Sequence, residues 1–211
     1  MTATDGRGRF ITLEGGEGAG KTTLSRSLAA WLAQQGVPVL RTREPGGAPG
    51  AEAIRSVLLE QGPWDPIAEA MLHFAARREH LVRTITPALE AGIWVVCDRF
   101  ADSTWAYQGG GQGLPRDAWD RLAGLALDGV APDLTLVLDL PPDRGMERAL
   151  GRGDANRYER QGSDFHTRVR DAFLAIAAAE PGRCAVLDAA AAPGAVLDAA
   201  RRAVSDRLSA P

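Results

Sequence analysis

Eight consecutive residues carry the most specific chemistry in the chain. Gly15-Gly16-Glu17-Gly18-Ala19-Gly20-Lys21-Thr22 satisfies the pattern G-x-x-x-x-G-K-[ST] in full. The glycines let backbone N–H groups turn inward around an anion, and a helix starting at the end of the run adds partial positive charge. Lys21 can reach the terminal phosphates of a nucleoside triphosphate, the Thr22 hydroxyl can ligate Mg2+, and Thr23 belongs to the same phosphate-binding set. The chain has 23 arginines and one lysine, and that lysine is Lys21. A compact ammonium on a flexible stem has been kept where a phosphate cradle uses one, while planar guanidinium groups serve everywhere else. With the lysine committed, an Asn-Lys-x-Asp guanine reader is impossible, which excludes a GTP switch of that type.

A second set of candidates lies further along. Asp98-Arg99 follow the apolar run 93–97. Asp98 can order magnesium or its water, and Arg99 can grip a phosphate bidentately; a surface ion pair is the plainer alternative. Ser103-Thr104-Trp105-Ala106-Tyr107-Gln108 offers hydroxyl, amide and aromatic groups that suit a nucleoside. Phe74 and Arg78 share a helical face by their i, i+4 spacing. That face could stack on a base and hydrogen-bond its carbonyl. Phe74 also extends an apolar stripe with Ile67, Met71, Leu81 and Ile85, so core packing competes with that role. His73, His80 and His166 have no metal-binding spacing and read as surface or packing residues.

These groups need a scaffold that brings them together. Short apolar runs at 10–13, 37–42, 93–97, 134–140 and 183–187 read as buried strands. Helical patterns fall at 22–35, 51–60, 66–91, 115–127, 142–151, 164–179 and 195–208, with Pro87 expected to kink or divide the long one. Alternation of this kind predicts an α/β fold: a five-stranded parallel sheet in three layers with helices on both faces. Ligands then gather at the carboxyl ends of the strands. The polar stretch 151–162 reads as a small lid on a single domain, 1–211, with Arg152, Arg157 and Arg160 available. Arg144, Arg148 and Arg152 share one helical face, although the first two could form a solvated basic surface.

Composition narrows the partners. A net charge of -3 disfavours duplex nucleic acid, and no stretch reaches the length of a membrane span. Residues 1–8 lack the apolar core of a signal peptide, which predicts a cytoplasmic protein. Cys97 and Cys184 sit in apolar runs and read as buried strand residues.

Taken in order, Thr42-Arg43-Glu44-Pro45-Gly46-Gly47, Asp98-Arg99-Phe100 with Tyr107-Gln108-Gly109, and Pro132-Asp133-Leu134 through Asp139-Leu140-Pro141-Pro142 resemble thymidylate kinase over most of the chain. The resemblance implies transfer of phosphate from ATP to dTMP by a homodimer, the long helix from Pro66 being a candidate for its face. It places Phe74 on thymine, Arg78 on its carbonyl edge, and Ser103, Thr104 and Gln108 around the base. Tyr107 would lie by the sugar, Arg55 and Arg99 on the acceptor phosphate, and Glu44 nearby. Glu17 would contact the 3′-hydroxyl and orient the phosphate arginine. The chain has Gly18 where some members carry an arginine, so the resemblance is to the group that supplies a lid arginine, with Arg157 as its best match and Arg152 beside it. Ala48 departs from the family's usual threonine, which weakens a polar role there. Another pyrimidine nucleotide or nucleoside kinase, or an ATP-binding switch without an acceptor, are the alternatives.

Overall fold

A computed structural model describes residues 6–151 and 157–208. Five strands, β1 (Phe10–Glu14), β2 (Val39–Arg43), β3 (Trp94–Asp98), β4 (Leu134–Asp139) and β5 (Cys184–Asp188), form one sheet in the order β2-β3-β1-β4-β5. Every pairing is parallel, with Ile11 between Val96 and Leu134. All residues of β1 and β3 are buried, as continuous apolar strands covered on both faces must be.

Helices supply the two covers. On one face α1 (Lys21–Gln34) and α9 (Pro193–Arg207) bring Leu24, Leu28, Leu32, Val196, Ala200 and Val204 onto Ile11, Leu13, Leu136 and Leu138. On the other, Leu81, Ile85, Leu89 and Phe100 cover Phe10, Val95 and Cys97. Val137 meets Tyr107 together with Phe165, Val169 and Phe173 of α8 (Ser163–Ala179). Both cysteines are free and buried. Among the described residues no helix is long and apolar enough to cross a membrane.

The remaining helices are α2 (Pro49–Glu60), α3 (Pro66–His80), α4 (Thr86–Glu90), α5 (Ala101–Thr104), α6 (Arg116–Leu127) and α7 (Pro142–Leu150). α3 starts cleanly because the Asp65 side chain accepts from the N–H of Ile67 at 2.9 Å, ahead of a proline in the first turn. The long pattern divides where Pro87 requires it. A π-helical turn, Leu81–Ile85, joins α3 to α4, and this wider turn accommodates a residue with no N–H to donate. A second π-helical stretch, Trp105–Gly111, continues α5. The glycines at its end permit close packing: a Cβ on Gly111 would lie 2.4 Å from the Phe165 ring, and one on Gly110 would lie 2.7 Å from Ala172.

Candidate functional site

β1 delivers the glycine loop to the carboxyl edge of the sheet. Lys21 is buried, and its Nζ donates to the carbonyls of Gly15 at 2.9 Å and Gly16 at 2.7 Å. Burial, reinforced by Arg99, pushes its pKa down to about 8. Gly18 has φ 68, and a Cβ there would meet the Gly145 carbonyl at 2.0 Å, so the loop can press on α7 only as glycine. The Thr22 hydroxyl donates to Asp98 Oδ2 at 2.6 Å. One hydroxyl beside one carboxylate, both lining the cavity described next, is a hard-oxygen set suited to magnesium that takes its other ligands from phosphate and water. No cluster of three or more His, Cys, Asp or Glu able to hold a metal exists among the described residues.

Facing the loop is a cavity of about 570 Å³. Residues Glu17 to Thr23 line one side, and Arg55, Arg77, Arg99, His73, Ser103, Thr104, Tyr107, Gln108 and Tyr158 are among those lining the rest. Arg99 links the two sides. It donates to Glu17 Oε1 at 2.9 Å, the Tyr107 hydroxyl at 3.0 Å, Ser103 Oγ at 3.1 Å and the Gly15 carbonyl at 3.2 Å. Its φ of 73 is rare for a side chain other than glycine and marks stored backbone strain. The next turn is held by fully buried Glu14, which accepts from the Phe100 N–H at 2.7 Å and from Ser103 Oγ. Burial, helped by Asp102, raises the Glu14 pKa to about 8. Glu17 behaves oppositely: burial opposes its charge, yet Arg99, Lys21 and the Tyr107 hydroxyl hold its carboxyl below the usual range. Half-buried Arg55 turns toward the Pro45 carbonyl at 2.7 Å.

Two expectations need correction. Phe74 does not line the cavity; it is buried with Ala123 and Ala126 of α6, its ring edge-on to Trp119 at 6.0 Å. Arg78 points out of the cavity, 3.3 Å from Asp128 Oδ2, with 45% of its side chain exposed. The pair one residue earlier, His73 and Arg77, faces the cavity instead, because α3 must give its apolar stripe to α6 and one residue rotates the face by about 100°. Both pairs have i, i+4 spacing, so spacing could not separate them. The usable signal was that Phe74 continued the stripe and His73 did not.

Arg77 is buried and fully engaged. It reaches Glu44 Oε2 at 2.7 Å, Thr104 Oγ1 at 3.1 Å and the Phe100 carbonyl at 2.9 Å. Glu44 also meets His80 Nδ1 at 3.0 Å, and the far nitrogen of that ring lies 2.8 Å from Thr42 Oγ1. Glu44 is therefore clamped between Arg77 and His80; His80 and His166 are buried, as the packing reading expected, and His73 lines the cavity.

Arg157 stands apart from the loop in this structure. It does not line the cavity beside the loop but pairs with fully buried Glu69 at 2.8 Å and reaches the Tyr158 hydroxyl at 2.8 Å. Arg152 lies outside the described residues.

A second cavity, about 530 Å³, opens across the glycine loop. Leu138, Ala189, Ala191, Pro193, Val196 and Leu197 make it largely apolar, and Arg148 stands at its rim, donating to the Ala189 carbonyl at 3.0 Å.

A phosphate-cradling loop between an apolar pocket and a guanidinium-lined one defines an ATP-dependent phosphotransferase of the P-loop class, built for a small phosphorylated acceptor. The thymidylate kinase family model matches residues 13–199. The chain is 52% identical to a thymidylate kinase of Chromohalobacter salexigens over 186 residues, 86% of this chain and 88% of the relative. It is 50% identical to that of Caulobacter vibrioides over 202 residues, 95% of each. The crystal structure of thymidylate kinase from Ehrlichia chaffeensis superimposes with a TM-score of 0.72 at 40% identity, covering 86% of this chain and 93% of that one. The chain belongs to the thymidylate kinase family.

Proposed function

We propose that this chain transfers the γ-phosphoryl group of ATP to dTMP, giving ADP and dTDP. The observation that carries the reading is the pair of cavities meeting at one glycine loop, with the acceptor side rich in arginine. In this reading the adenosine part of ATP occupies the apolar cavity beside the turn that follows β5. The loop amides and Lys21 hold the β- and γ-phosphates. Arg55 and Arg99 hold the acceptor phosphate, and Glu17 keeps Arg99 aimed. His73, Arg77, Ser103, Thr104 and Gln108 surround the base, and Tyr107 stands by the sugar. Thr22 and Asp98 would hold Mg2+, which when bound neutralises phosphate charge.

Phosphoryl transfer depends mainly on alignment and charge neutralisation. The acceptor phosphate supplies its own nucleophilic oxygen, so the protein need only bring two anions together. Lys21, Arg55 and Arg99 line the cavity where those anions would meet. Arg157 would have to leave Glu69 to join them. We further read the protein as a cytoplasmic single domain that works as a homodimer. The exposed apolar residues Ile67, Met71 and Val82 on the helical run from Pro66 support a paired face.

The test is a panel of nucleoside monophosphates with Mg-ATP, followed by ADP release. dTMP should be the best substrate. dUMP should follow several-fold behind, since burying one methyl group is worth about 0.8 kcal/mol. ATP consumption no faster with dTMP than without an acceptor would reject the reading.

A further inference from the structure

Glu69 plays no part in the phosphate chemistry, yet it organises the back of the acceptor cavity. It has no exposed surface. Its Oε1 accepts from Gln108 Nε2 at 2.5 Å, the Tyr158 hydroxyl at 2.7 Å and Gln112 Nε2 at 3.2 Å, while Oε2 lies 2.8 Å from Arg157. Gln108, Tyr158 and His73 line the cavity, and Glu69 stands behind them.

A carboxylate paired with a guanidinium only accepts hydrogen bonds. Gln108 must therefore turn its amide nitrogen to Glu69, which leaves its carbonyl oxygen on the side of the amide away from Glu69. Tyr158 gives its one proton to Glu69. The His73 Nε2, 3.0 Å from the Tyr158 oxygen, then has to donate, which leaves Nδ1 with a lone pair. Desolvation, together with Arg77 and Arg157, pushes the His73 pKa down to about 3, so the ring stays neutral and keeps this tautomer at neutral pH.

We propose that Glu69 is a specificity-determining positioning residue: it sets the polarity of Gln108 and His73 so that the cavity offers acceptors and selects a pyrimidine whose ring carries an N–H. The proposal rests on the reading of this cavity as the acceptor-base site. The class selected is the 2,4-dioxopyrimidine. A 4-aminopyrimidine puts a lone pair where the N–H stood, and lone pair would face acceptor. A site built to hydrogen-bond a donor rejects an analogue that lacks it far more strongly than shape alone does.

The experiment compares kcat/KM for dTMP, dUMP and dCMP in the wild-type protein and in Glu69→Gln. The substituted amide can offer either N–H or C=O, which frees Gln108 to turn over. In the wild type, dTMP and dUMP should exceed dCMP by about 100-fold or more. In Glu69→Gln that preference should shrink by about 10-fold or more, with the KM for ATP unchanged within about twofold. An equal loss on all three substrates, leaving the preference intact, would show a merely structural residue and overturn the proposal. Because the variant can lose stability, a measurement on wild-type protein stands beside it. N3-methyl-dTMP, whose ring N–H is gone, should compete with dTMP about 100-fold more weakly than dUMP does; equal competition overturns the proposal. Failure of the wild type to phosphorylate dTMP at all would instead sink the proposed function, whereas good turnover of both dTMP and dCMP would sink only the role of Glu69.

Discussion

The glycine loop and the acceptor wall face the same space but are assembled on opposite plans. The loop is local: Lys21 finds its partners six and five residues away, in Gly15 and Gly16. The wall is gathered from across the chain. Arg77 pairs with Glu44 at a separation of 33 residues, Arg99 with Glu17 at 82, and Tyr158 with Glu69 at 89. A cradle of backbone amides needs only a short run of correct residues on a strand–helix turn. A wall of side chains exists only once the sheet, α3 and the segment after α7 have docked. Damage to the loop should therefore appear as lost chemistry in a stable protein, and damage to the wall as lost binding or lost stability.

The largest effect should come from the loop. Lys21→Ala is expected to lower kcat by about 1,000-fold or more while dTMP affinity, read by titration calorimetry, changes little. A comparable loss of dTMP binding would mean that the two regions are not separable. Next is the bridge between them: Arg99→Lys should reduce kcat/KM for dTMP by about 100-fold and leave the KM for ATP nearly unchanged, since an ammonium cannot reproduce the fork. Within the wall, Arg77→Ala should cost about 3–5 kcal/mol in denaturant unfolding, because it leaves the Glu44 carboxylate buried without its guanidinium. Arg78→Ala, one residue along, should move neither stability nor kinetics measurably, its ion pair being exposed. A strong kinetic effect of Arg78→Ala would restore the face that the structure assigns to solvent.

A pH slope tests the wall in a different way. His73 titrates at about 3 in the folded chain, below its ordinary 6.5, so the unfolded chain binds the extra proton between those values. Its contribution to stability is complete above about 6.5 and is lost as pH falls toward 3. Removing the imidazole with His73→Asn should flatten the acid limb of stability against pH; an unaltered limb would place the responsible group elsewhere.

The two plans also explain what could be read from the residues in order. The loop, the alternation of strands and helices, and the emergence of Asp98-Arg99 at a strand end were legible because each depends on neighbours. The strand limits differ from the expected ones by a residue or two: β1, β2, β3 and β5 end one residue later, and β4 ends one residue earlier. The choice of His73 and Arg77 over Phe74 and Arg78 was not legible, because it depends on where α6 packs. The π-helical stretch Trp105–Gly111 was equally hidden. Its glycines resemble a loop until Phe165 and Ala172 are seen pressed against them. The pairing of Arg157 with Glu69 was hidden for the same reason: Glu69 lies on a helix that no spacing rule connects to it.

A single lysine also makes the chain unusually addressable by reagents. Among its side chains, an amine-acylating probe has one target, and that target is buried in the glycine loop with a pKa near 8, well below an ordinary surface lysine. Labels, cross-linkers and resins that rely on lysine would either miss the protein's exterior or silence it. The same scarcity turns occupancy of the pocket into a mass-spectrometric signal, since a bound triphosphate would shield the one side-chain amine there is to modify.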